Sequence, residues 1–307
     1  MTASAPGRRA WKRHGWWTAH RYLVLRRVAQ LSVLALFLSG PVLGVWIAKG
    51  TLANSLTFDA LPLADPFLLL QSVAARHWPE TTVWIGAAIV VAGYLAFGGR
   101  TYCSWVCPVN PVADAAAWLR RRLGIDKGAA LRREMRWYML GMALAVSAAT
   151  GAIAWEFVNP ITGLYRAVLF GSYFGVAIVV AIFAFDLVVA RHGWCGHLCP
   201  VGAAYALIGR ATLLRVSARG RERCDDCLDC LAVCPEAHVI APALRAKSGG
   251  SPAILSADCT ACGRCVDVCP ERVFGFSHRF DQRVDPAPRP PASPGSIAAR
   301  LIEHERV

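Results

Sequence analysis

The residues with the clearest chemistry are eight cysteines in the C-terminal third of the chain, arranged in two runs of equal spacing. Both runs have the pattern C-x2-C-x2-C-x3-C-P. They read Cys224-Asp-Asp-Cys227-Leu-Asp-Cys230-Leu-Ala-Val-Cys234-Pro235 and Cys259-Thr-Ala-Cys262-Gly-Arg-Cys265-Val-Asp-Val-Cys269-Pro270. Three thiolates spaced in this way can converge on three corners of an iron–sulfur cubane. The spacing therefore predicts two [4Fe–4S] clusters.

The fourth cysteine of each run is set apart by a proline and is aimed at the other cluster. We therefore expect the two runs to exchange ligands. The first cluster would be held by Cys224, Cys227, Cys230 and Cys269, and the second by Cys259, Cys262, Cys265 and Cys234. Zinc is the alternative, because C-x2-C is also a zinc spacing, but zinc does not call for eight cysteines in two matching runs.

Four further cysteines form two C-x3-C-P-V segments, Cys103 with Cys107 and Cys195 with Cys199. On a helix this spacing puts both thiols on one face, but proline disfavours helix in the residue before it. We expect the pairs in turns where a membrane span meets the cytoplasm. Three roles are open: a four-thiolate site for a further cluster or metal, redox-active dithiols, or simple packing.

Residues beside these pairs predict the neighbouring helices. Asn110 and Pro111 predict an N-cap and a helix start after the first pair, and Pro200 predicts a helix start after the second. His192 and His197 flank the second pair, and we expect both to be solvated rather than to be ligands.

The cysteines belong to an apolar chain. Of its 307 residues, 55% are hydrophobic and 17% are charged, and the mean hydropathy is +0.40. Apolar stretches at about 28–48, 82–98, 137–155 and 168–190 approach the ~20 helical residues that cross a bilayer, so we predict four transmembrane helices. Asp186 lies inside the fourth, and we expect it to snorkel to the cytoplasmic surface.

Lysine and arginine counts predict the orientation. Residues 1–27 carry seven and the 99–136 loop carries eight, whereas the 49–81 loop has two and the 156–167 loop has one. By the positive-inside rule, both termini and all twelve cysteines face the cytoplasm of a multi-pass inner-membrane protein. The net charge of +13 is explained by these topology signals, so nucleic acid is not an expected partner.

The predicted organisation has four parts: a basic N-terminus (1–27), a membrane domain (28–215), a ferredoxin-like domain (216–280) and a Pro-rich tail (281–307) with a short helix near 296–305. Each half of the membrane domain is a hairpin ending in C-x3-C-P-V, which indicates an internal duplication. The predicted fold is therefore an all-α membrane bundle of two repeated hairpins, followed by an α+β bacterial 2[4Fe–4S] ferredoxin-like domain.

This plan resembles the NapH family of ferredoxin-type membrane proteins, together with the similar methylamine-utilisation ferredoxin MauN. The resemblance rests on the predicted spans and all twelve cysteines, and it covers roughly residues 25–280. It implies an electron-transfer subunit of a quinol dehydrogenase that passes electrons from membrane quinol towards a periplasmic, nitrate reductase-like chain. It also implies an iron–sulfur partner subunit resembling NapG.

Two other functions remain open from the sequence. A CcoG-type copper reductase or oxidase-assembly factor shares the membrane part but carries a longer C-terminal domain, whereas only 38 residues follow Cys269 here. A redox sensor would use the same clusters to report the redox state of the cell rather than to transfer electrons. The quinol dehydrogenase hypothesis also meets a difficulty, because the clusters face the cytoplasm and a NapG-like partner does not.

A quinol site would lie in the segments predicted for the periplasmic side. Asp65-Pro66 predicts the start of a short helix in the 49–81 loop, which suits an interfacial or re-entrant position. Four residues of these segments are candidates to accept or relay quinol protons, although ordinary interface residues would look the same: His77, Glu80, Glu156 and Asn159.

Overall fold

The computed structural model describes residues 5–125, 128–129, 131–245 and 250–286. The predicted tail beyond residue 286, with its short helix, lies outside the described residues. The described part is mainly helical. Its helices are, in chain order, α1 Arg8–His14, α2 Trp16–Leu43, α3 Pro66–Ala74, α4 Thr81–Phe97, α5 Thr101–Trp105, α6 Asn110–Arg122, α7 Met135–Thr150, α8 Pro160–Phe170, α9 Tyr173–Val188, α10 Pro200–Gly209, α11 Asp229–Val233, α12 Ile240–Arg245 and α13 Arg264–Val268.

Two small antiparallel sheets accompany the helices. The strands are β1 Ala48–Gly50, β2 Asn54–Thr57, β3 Leu61–Ala64, β4 Leu214–Ser217 and β5 Gly275–His278. In the first sheet β2 lies between β1 and β3, and in the second β4 pairs with β5. The first sheet was not predicted. It packs through β3 against α4 and ends directly before the start of α3, so it fixes the position of that helix.

Among the described helices, α2 alone is long and apolar enough to cross a membrane by itself. It has 28 residues and begins at Trp16, within the predicted basic N-terminus, and it ends at Leu43, before the predicted end of the first span at residue 48. Helices α4, α7 and α9 coincide with the other predicted spans. With 17, 16 and 16 residues they are about 24–26 Å long, which is shorter than the ~30 Å hydrocarbon core.

The predicted fourth span, 168–190, is divided into two helices. Gly171 has a left-handed φ of 65° and ends α8, after which the chain reverses into α9. The two helices pack against each other, and an added Cβ on Gly175 would lie 2.1 Å from the carbonyl oxygen of Gly163. Hydropathy alone does not show this break because both helices are apolar.

The part of the chain from α2 to α10 runs through the same order of elements twice. A long helix, a short helix and a second long helix precede each cysteine pair, and a further helix follows it. Both short helices begin with a capping side chain before a proline: Asp65 accepts from Phe67 N and Asn159 from Ile161 N, each at 3.0 Å. The helices after the pairs are exchanged, because α6 packs against α9 while α10 packs against α4 and α7.

The C-terminal module combines the β4–β5 sheet with α11, α12 and α13 around an apolar core that includes Val216 and Ile254. The N-terminal residues bind this module directly. Helices α1 and α2 pack against α13, and the Asp267 carboxylate accepts from the backbone N–H groups of Tyr22 and Leu23, both at 3.1 Å. The module is therefore attached to α2 as well as, through the chain, to α10.

Two predictions about polar residues in the membrane part were wrong. Asn110 lies inside α6 and does not cap it; instead its carboxamide oxygen accepts from Arg26 and Gln30 and joins α6 to α2. Asp186 does not snorkel to the surface. It is fully buried and accepts from the backbone N–H of Trp194 at 2.9 Å. The Asn110 carboxamide and the Asp186 carboxylate both make contacts outside their own helices, and the sequence around each residue does not show such contacts.

Candidate metal centres and the pocket between them

The two C-terminal cysteine runs fold into loops of the same backbone shape. In each loop the residues on both sides of the second cysteine are left-handed, with φ of 51° at Asp226, 62° at Leu228, 48° at Ala261 and 71° at Gly263. A non-glycine residue in this region costs on the order of 1–3 kcal/mol. Alternating backbone conformations of this kind turn successive N–H groups into a concavity that suits an iron–sulfur cluster. The loops therefore have a shape that suits cluster binding, although three of these four residues disfavour the left-handed backbone conformation that the shape requires.

The four cysteines predicted for the second cluster line one pocket, although one of them belongs to the other run: Cys234, Cys259, Cys262 and Cys265. The pocket contains ≈ 350 Å³ of empty space. Apolar side chains, among them Val216, Ile240 and Ile254, form the rest of its wall. Convergent thiols in an apolar pocket fit the donor set of a [4Fe–4S] cluster.

The four cysteines predicted for the first cluster also lie together. Burial raises the pKa of Cys230 to about 12, and the thiolate charges of Cys269, Cys227 and Cys224 contribute to that increase. All twelve cysteines are free of disulfides. The structure thus brings together the same two sets of four thiols that the exchange of fourth ligands predicts.

The remaining four cysteines, Cys103, Cys107, Cys195 and Cys199, line a single pocket with ≈ 410 Å³ of empty space. Cys103 lies in α5, and Cys195 lies in a π-helical turn, Trp194–Leu198. We call this space the four-cysteine pocket. Its other lining residues are Tyr102, Val109, Asn159, Pro160, Ile161, Trp194, Val201 and Gly202.

The lining of this pocket includes a segment that was not predicted to lie near the cysteines. We expected the cysteine pairs in turns at the cytoplasmic surface, yet Asn159, Pro160 and Ile161 come from the segment predicted for the opposite side. Asn159 caps α8, and Pro160 and Ile161 begin it, so the start of this helix lines the same pocket as the cysteines. Residues from both predicted sides of the membrane therefore meet at this pocket.

The protonation of the pocket thiols follows from their burial. Burial raises the pKa of Cys199 to about 12 and that of Cys103 above its usual value, while the Arg100 guanidinium opposes the shift at Cys103. His192 is buried, not solvated as predicted, and burial lowers its pKa to about 4. His197 is partly exposed. In the described ranges, no three His, Cys, Asp or Glu side chains lie close enough together to hold one metal ion.

A buried arginine joins the four-cysteine pocket to the second cluster pocket. Arg100 donates to Glu236 Oε1 at 2.8 Å, to the carbonyl oxygen of Asp258 at 3.0 Å and to that of Cys195 at 3.0 Å. Glu236 follows Cys234-Pro235 and Asp258 directly precedes Cys259, so one guanidinium contacts both loops of the second pocket. Arg136 also pairs with Asp258. The sequence offered only a topology signal for Arg100, and its pairing could not be read from that.

The four residues predicted as quinol-site candidates separate into two pairs. Glu156 and Asn159 are brought together, since Asn159 Nδ2 donates to Glu156 Oε1 at 2.7 Å, and Asn159 also lines the four-cysteine pocket. His77 is exposed and its Nε2 contacts the carbonyl oxygen of Gly151 at 2.8 Å. Glu80 is exposed beside the start of α4. Only the first pair therefore lies next to candidate redox chemistry.

A group of three tyrosines beside the pocket was missed in the sequence. Tyr205 and Tyr102 stack with ring centroids 4.8 Å apart and an interplanar angle of 5°, and Tyr94 meets both edge-on. The Tyr205 hydroxyl donates to Asp65 Oδ1 at 3.2 Å. Their positions on α4, α5 and α10 are far apart in sequence, so only the fold brings them together.

Comparison with protein-family models gives the class of this protein. A model described as a 4Fe-4S binding domain matches residues 81–126 and 172–221, and each of these ranges contains one C-x3-C-P segment. A model described as a 4Fe-4S dicluster domain matches residues 223–273. Both descriptions favour iron–sulfur clusters over zinc. With the folded loops described above, they define an iron–sulfur electron-transfer protein of the ferredoxin type.

Comparison with individual proteins gives the family. The chain is 50% identical to the ferredoxin-type protein NapH of Haemophilus influenzae, over 91% of this chain and 98% of that protein. It is 47% identical to NapH of Escherichia coli and 50% identical to the methylamine utilization ferredoxin-type protein MauN of Paracoccus denitrificans, each over 89% of this chain and 95% of the relative. No solved structure matches it. The chain belongs to the NapH and MauN family of ferredoxin-type proteins.

Proposed function

We propose that this protein is the membrane subunit of a quinol dehydrogenase and passes electrons from the quinol pool towards a periplasmic, nitrate reductase-like chain. The observation that carries the proposal is the buried contact between the four-cysteine pocket and the second cluster pocket. Arg100, with 2% of its side chain exposed, holds the Cys195 carbonyl on one side and Glu236 and Asp258 on the other. One buried guanidinium therefore joins the two candidate redox sites.

The two clusters of the ferredoxin module are assigned the exchanged ligand sets. Cys224, Cys227, Cys230 and Cys269 would hold the first, and Cys234, Cys259, Cys262 and Cys265 the second. The clusters supply one-electron carriers when bound, and the exchange of fourth ligands keeps them close to each other. Leu228, beside Cys227, is 46% exposed, which supports the first cluster as the one nearer the surface and as the exit for electrons.

The four-cysteine pocket is assigned a further [4Fe–4S] cluster. Support comes from the convergence of four thiols from symmetric places and from the 4Fe-4S binding domain model that matches both segments. A further cluster predicts twelve iron atoms in the protein, because three clusters of four are present. Redox-active dithiols or packed thiols predict eight.

Four membrane-spanning helices are supported by the side chains that face outward. Val28 and Leu31 of α2 are 55% and 65% exposed, and the outward faces of the shorter helices are equally apolar, with Ile85 of α4 at 50%, Met142 of α7 at 53% and Val180 of α9 at 58%. Such surfaces suit lipid. Local thinning of the bilayer can accommodate the short helices. The positive-inside count then puts both termini and the ferredoxin module in the cytoplasm.

The partner we expect is an iron–sulfur subunit that resembles NapG. A copper reductase of the CcoG type and a redox sensor are the competing functions, and each makes a different prediction for the reduced clusters. The clusters of an electron-transfer subunit are reduced by quinol and reoxidised by a protein partner. A copper reductase is reoxidised by Cu(II), and a sensor changes the expression of other proteins.

The proposal is tested on the full chain purified anaerobically and inserted into proteoliposomes. We expect about twelve iron and twelve sulfide per chain, an EPR signal in the reduced state, and bleaching of cluster absorbance on addition of duroquinol. Clusters that dithionite reduces but duroquinol does not would overturn the quinol dehydrogenase function. Rapid reoxidation by Cu(II) together with that result would establish the copper reductase instead.

A further inference from the structure

Asp65 occupies a position where its charge is not needed for structure. It caps α3 by accepting from Phe67 N. Asn159 has the same place in the second half of the chain, before Pro160, and caps α8 with the same geometry. Asparagine and aspartate cap helices about equally well. The carboxylate in the first half therefore has a capability that capping does not use, which is to accept a proton.

The surroundings of Asp65 connect it to the four-cysteine pocket. Its Oδ1 atom accepts from the Tyr205 hydroxyl at 3.2 Å, and the Tyr205 ring stacks on that of Tyr102. Tyr102 lines the pocket and is directly followed by Cys103. Asp65 keeps a partly exposed surface, whereas Tyr205 is only 2% exposed. A molecule that contacts Asp65 would thus lie one pair of aromatic rings from the thiols.

A second carboxylate is close to the first. Glu156 is near enough for its negative charge to act on Asp65, and its Oε1 atom accepts from Asn159 Nδ2. The same contact region leaves two buried donors without an acceptor among the described residues, Gln71 Nε2 and Trp155 Nε1. Gln71 belongs to α3, and its Oε1 atom accepts from Trp155 N at 3.1 Å. The region thus offers two proton acceptors and two unpaired donors.

These groups match the chemistry of a hydroquinone, which has two hydroxyl protons to lose and, once oxidised, two carbonyl oxygens that accept hydrogen bonds. We propose that Asp65 is a catalytic residue that accepts the first hydroxyl proton of quinol, and that Glu156 accepts the second. This inference rests on the proposed quinol dehydrogenase function. Both O–H bonds break, the protons pass to the two carboxylates, and the two electrons would pass singly to the iron–sulfur clusters that the cysteines would hold, which would be the oxidant.

The ionisation of Asp65 suits this role. Burial raises its pKa to about 6, and the charge of Glu156 adds to the increase, while the hydrogen bonds from Phe67 N and Tyr205 oppose it. The other titratable groups beside it are Tyr94 from α4 and Tyr102 from α5. A carboxylate with this pKa is mainly ionised at neutral pH and is a stronger base than an ordinary aspartate.

The test compares Asp65→Asn with the native full chain, using duroquinol as the electron donor and the bleaching of cluster absorbance as the readout. Asparagine retains the cap and the acceptor for Tyr205 but cannot take a proton. Because a positioned general base contributes about 10²–10⁴-fold, we expect reduction to slow by at least about 100-fold. Glu156→Gln should slow it as well. Iron content, EPR spectra and the rate of reduction by dithionite should not change.

The matched control is Asp59→Asn, which removes an exposed carboxylate of the same loop that pairs with Lys49. Duroquinol should reduce the clusters of this variant at the native rate. Suppose that duroquinol reduces the native clusters and also reduces those of Asp65→Asn at a rate within about threefold of the native rate. The assignment of Asp65 is then wrong and the proposed function stands. If duroquinol fails to reduce the native clusters, the proposed function itself fails. Loss of iron from Asp65→Asn would make the residue structural and would also overturn the assignment.

Discussion

Replacing Arg100 with methionine tests how strongly the four-cysteine pocket is held against the ferredoxin module. The side chains of Arg100 and Glu236 are 2% and 4% exposed, and their nitrogen and oxygen atoms are 2.8 Å apart. Removing one partner of a buried ion pair leaves an uncompensated charge and costs about 3–5 kcal/mol. Arg136 Nη1 lies 3.8 Å from Glu236 and can take over part of the interaction. We therefore expect the lower end, about 3 kcal/mol.

The assay is the thermal loss of cluster absorbance from the anaerobic, detergent-solubilised full chain. At about 2 °C per kcal/mol, the Arg100→Met variant should lose its clusters about 6 °C below the native protein. Adding Glu236→Gln removes the stranded charge and should restore at least half of that difference. Arg132→Met is the control, because Arg132 and its partner Glu134 are 84% and 64% exposed and such pairs contribute little.

Two results would refute the reasoning. A decrease of less than about 2 °C for Arg100→Met would mean that Arg136 or solvent compensates the charge fully, so the contact would not join the two sites. A double variant as unstable as the single one would mean that the lost hydrogen bonds to the carbonyl oxygens of Cys195 and Asp258 matter, and not the buried charge of Glu236.

Three further outcomes are expected. Cys234→Ser should remove the EPR signal of the second cluster and spare that of the first, because the Cys234 thiol lines the same pocket as Cys259, Cys262 and Cys265. Loss of the first signal instead would contradict the exchange of fourth ligands between the two runs. The rate of cluster reduction by duroquinol should rise with pH through about 6 and level off above it, since the Asp65 base is active only when ionised, and the Asp65→Asn profile should lack this step. Gly175→Val should lower the thermal midpoint by several degrees, because its side chain would clash with the backbone of α8, whereas Gly141→Val, where a Cβ meets no atom within 4 Å, should not.

The cysteine sets could be grouped from the sequence because cluster geometry fixes both the spacing within a run and the exchange of the fourth ligand. The membrane part was less predictable. Hydropathy marks apolar helices but does not show where one reverses, so the break at Gly171 was missed. Lysine and arginine counts assign loops to sides but carry no information about depth. The contact of Asn159 with the cysteine pairs could not follow from them.

The polar residues show the same limit for a different reason. The cap at Asp65 was predictable because it depends on residues one and two positions away. Its bond to Tyr205 depends on a residue 140 positions away, and the pairing of Arg100 with Glu236 spans 136. Contacts at such separations are set by how α10 and the ferredoxin loops pack, which no local pattern contains.

The lining of the four-cysteine pocket bears on how electrons would pass between quinol and the ferredoxin module under the proposed function. A carrier confined to the cytoplasmic surface would face a hydrocarbon core of ~30 Å. Helix α3 packs against α4 and α7, and the start of α8, with its cap Asn159, lines the four-cysteine pocket. The bundle helices α4, α7 and α9 are themselves only about 24–26 Å long. Under the proposed function, quinol would therefore meet the redox chain inside the bundle, next to the four-cysteine pocket.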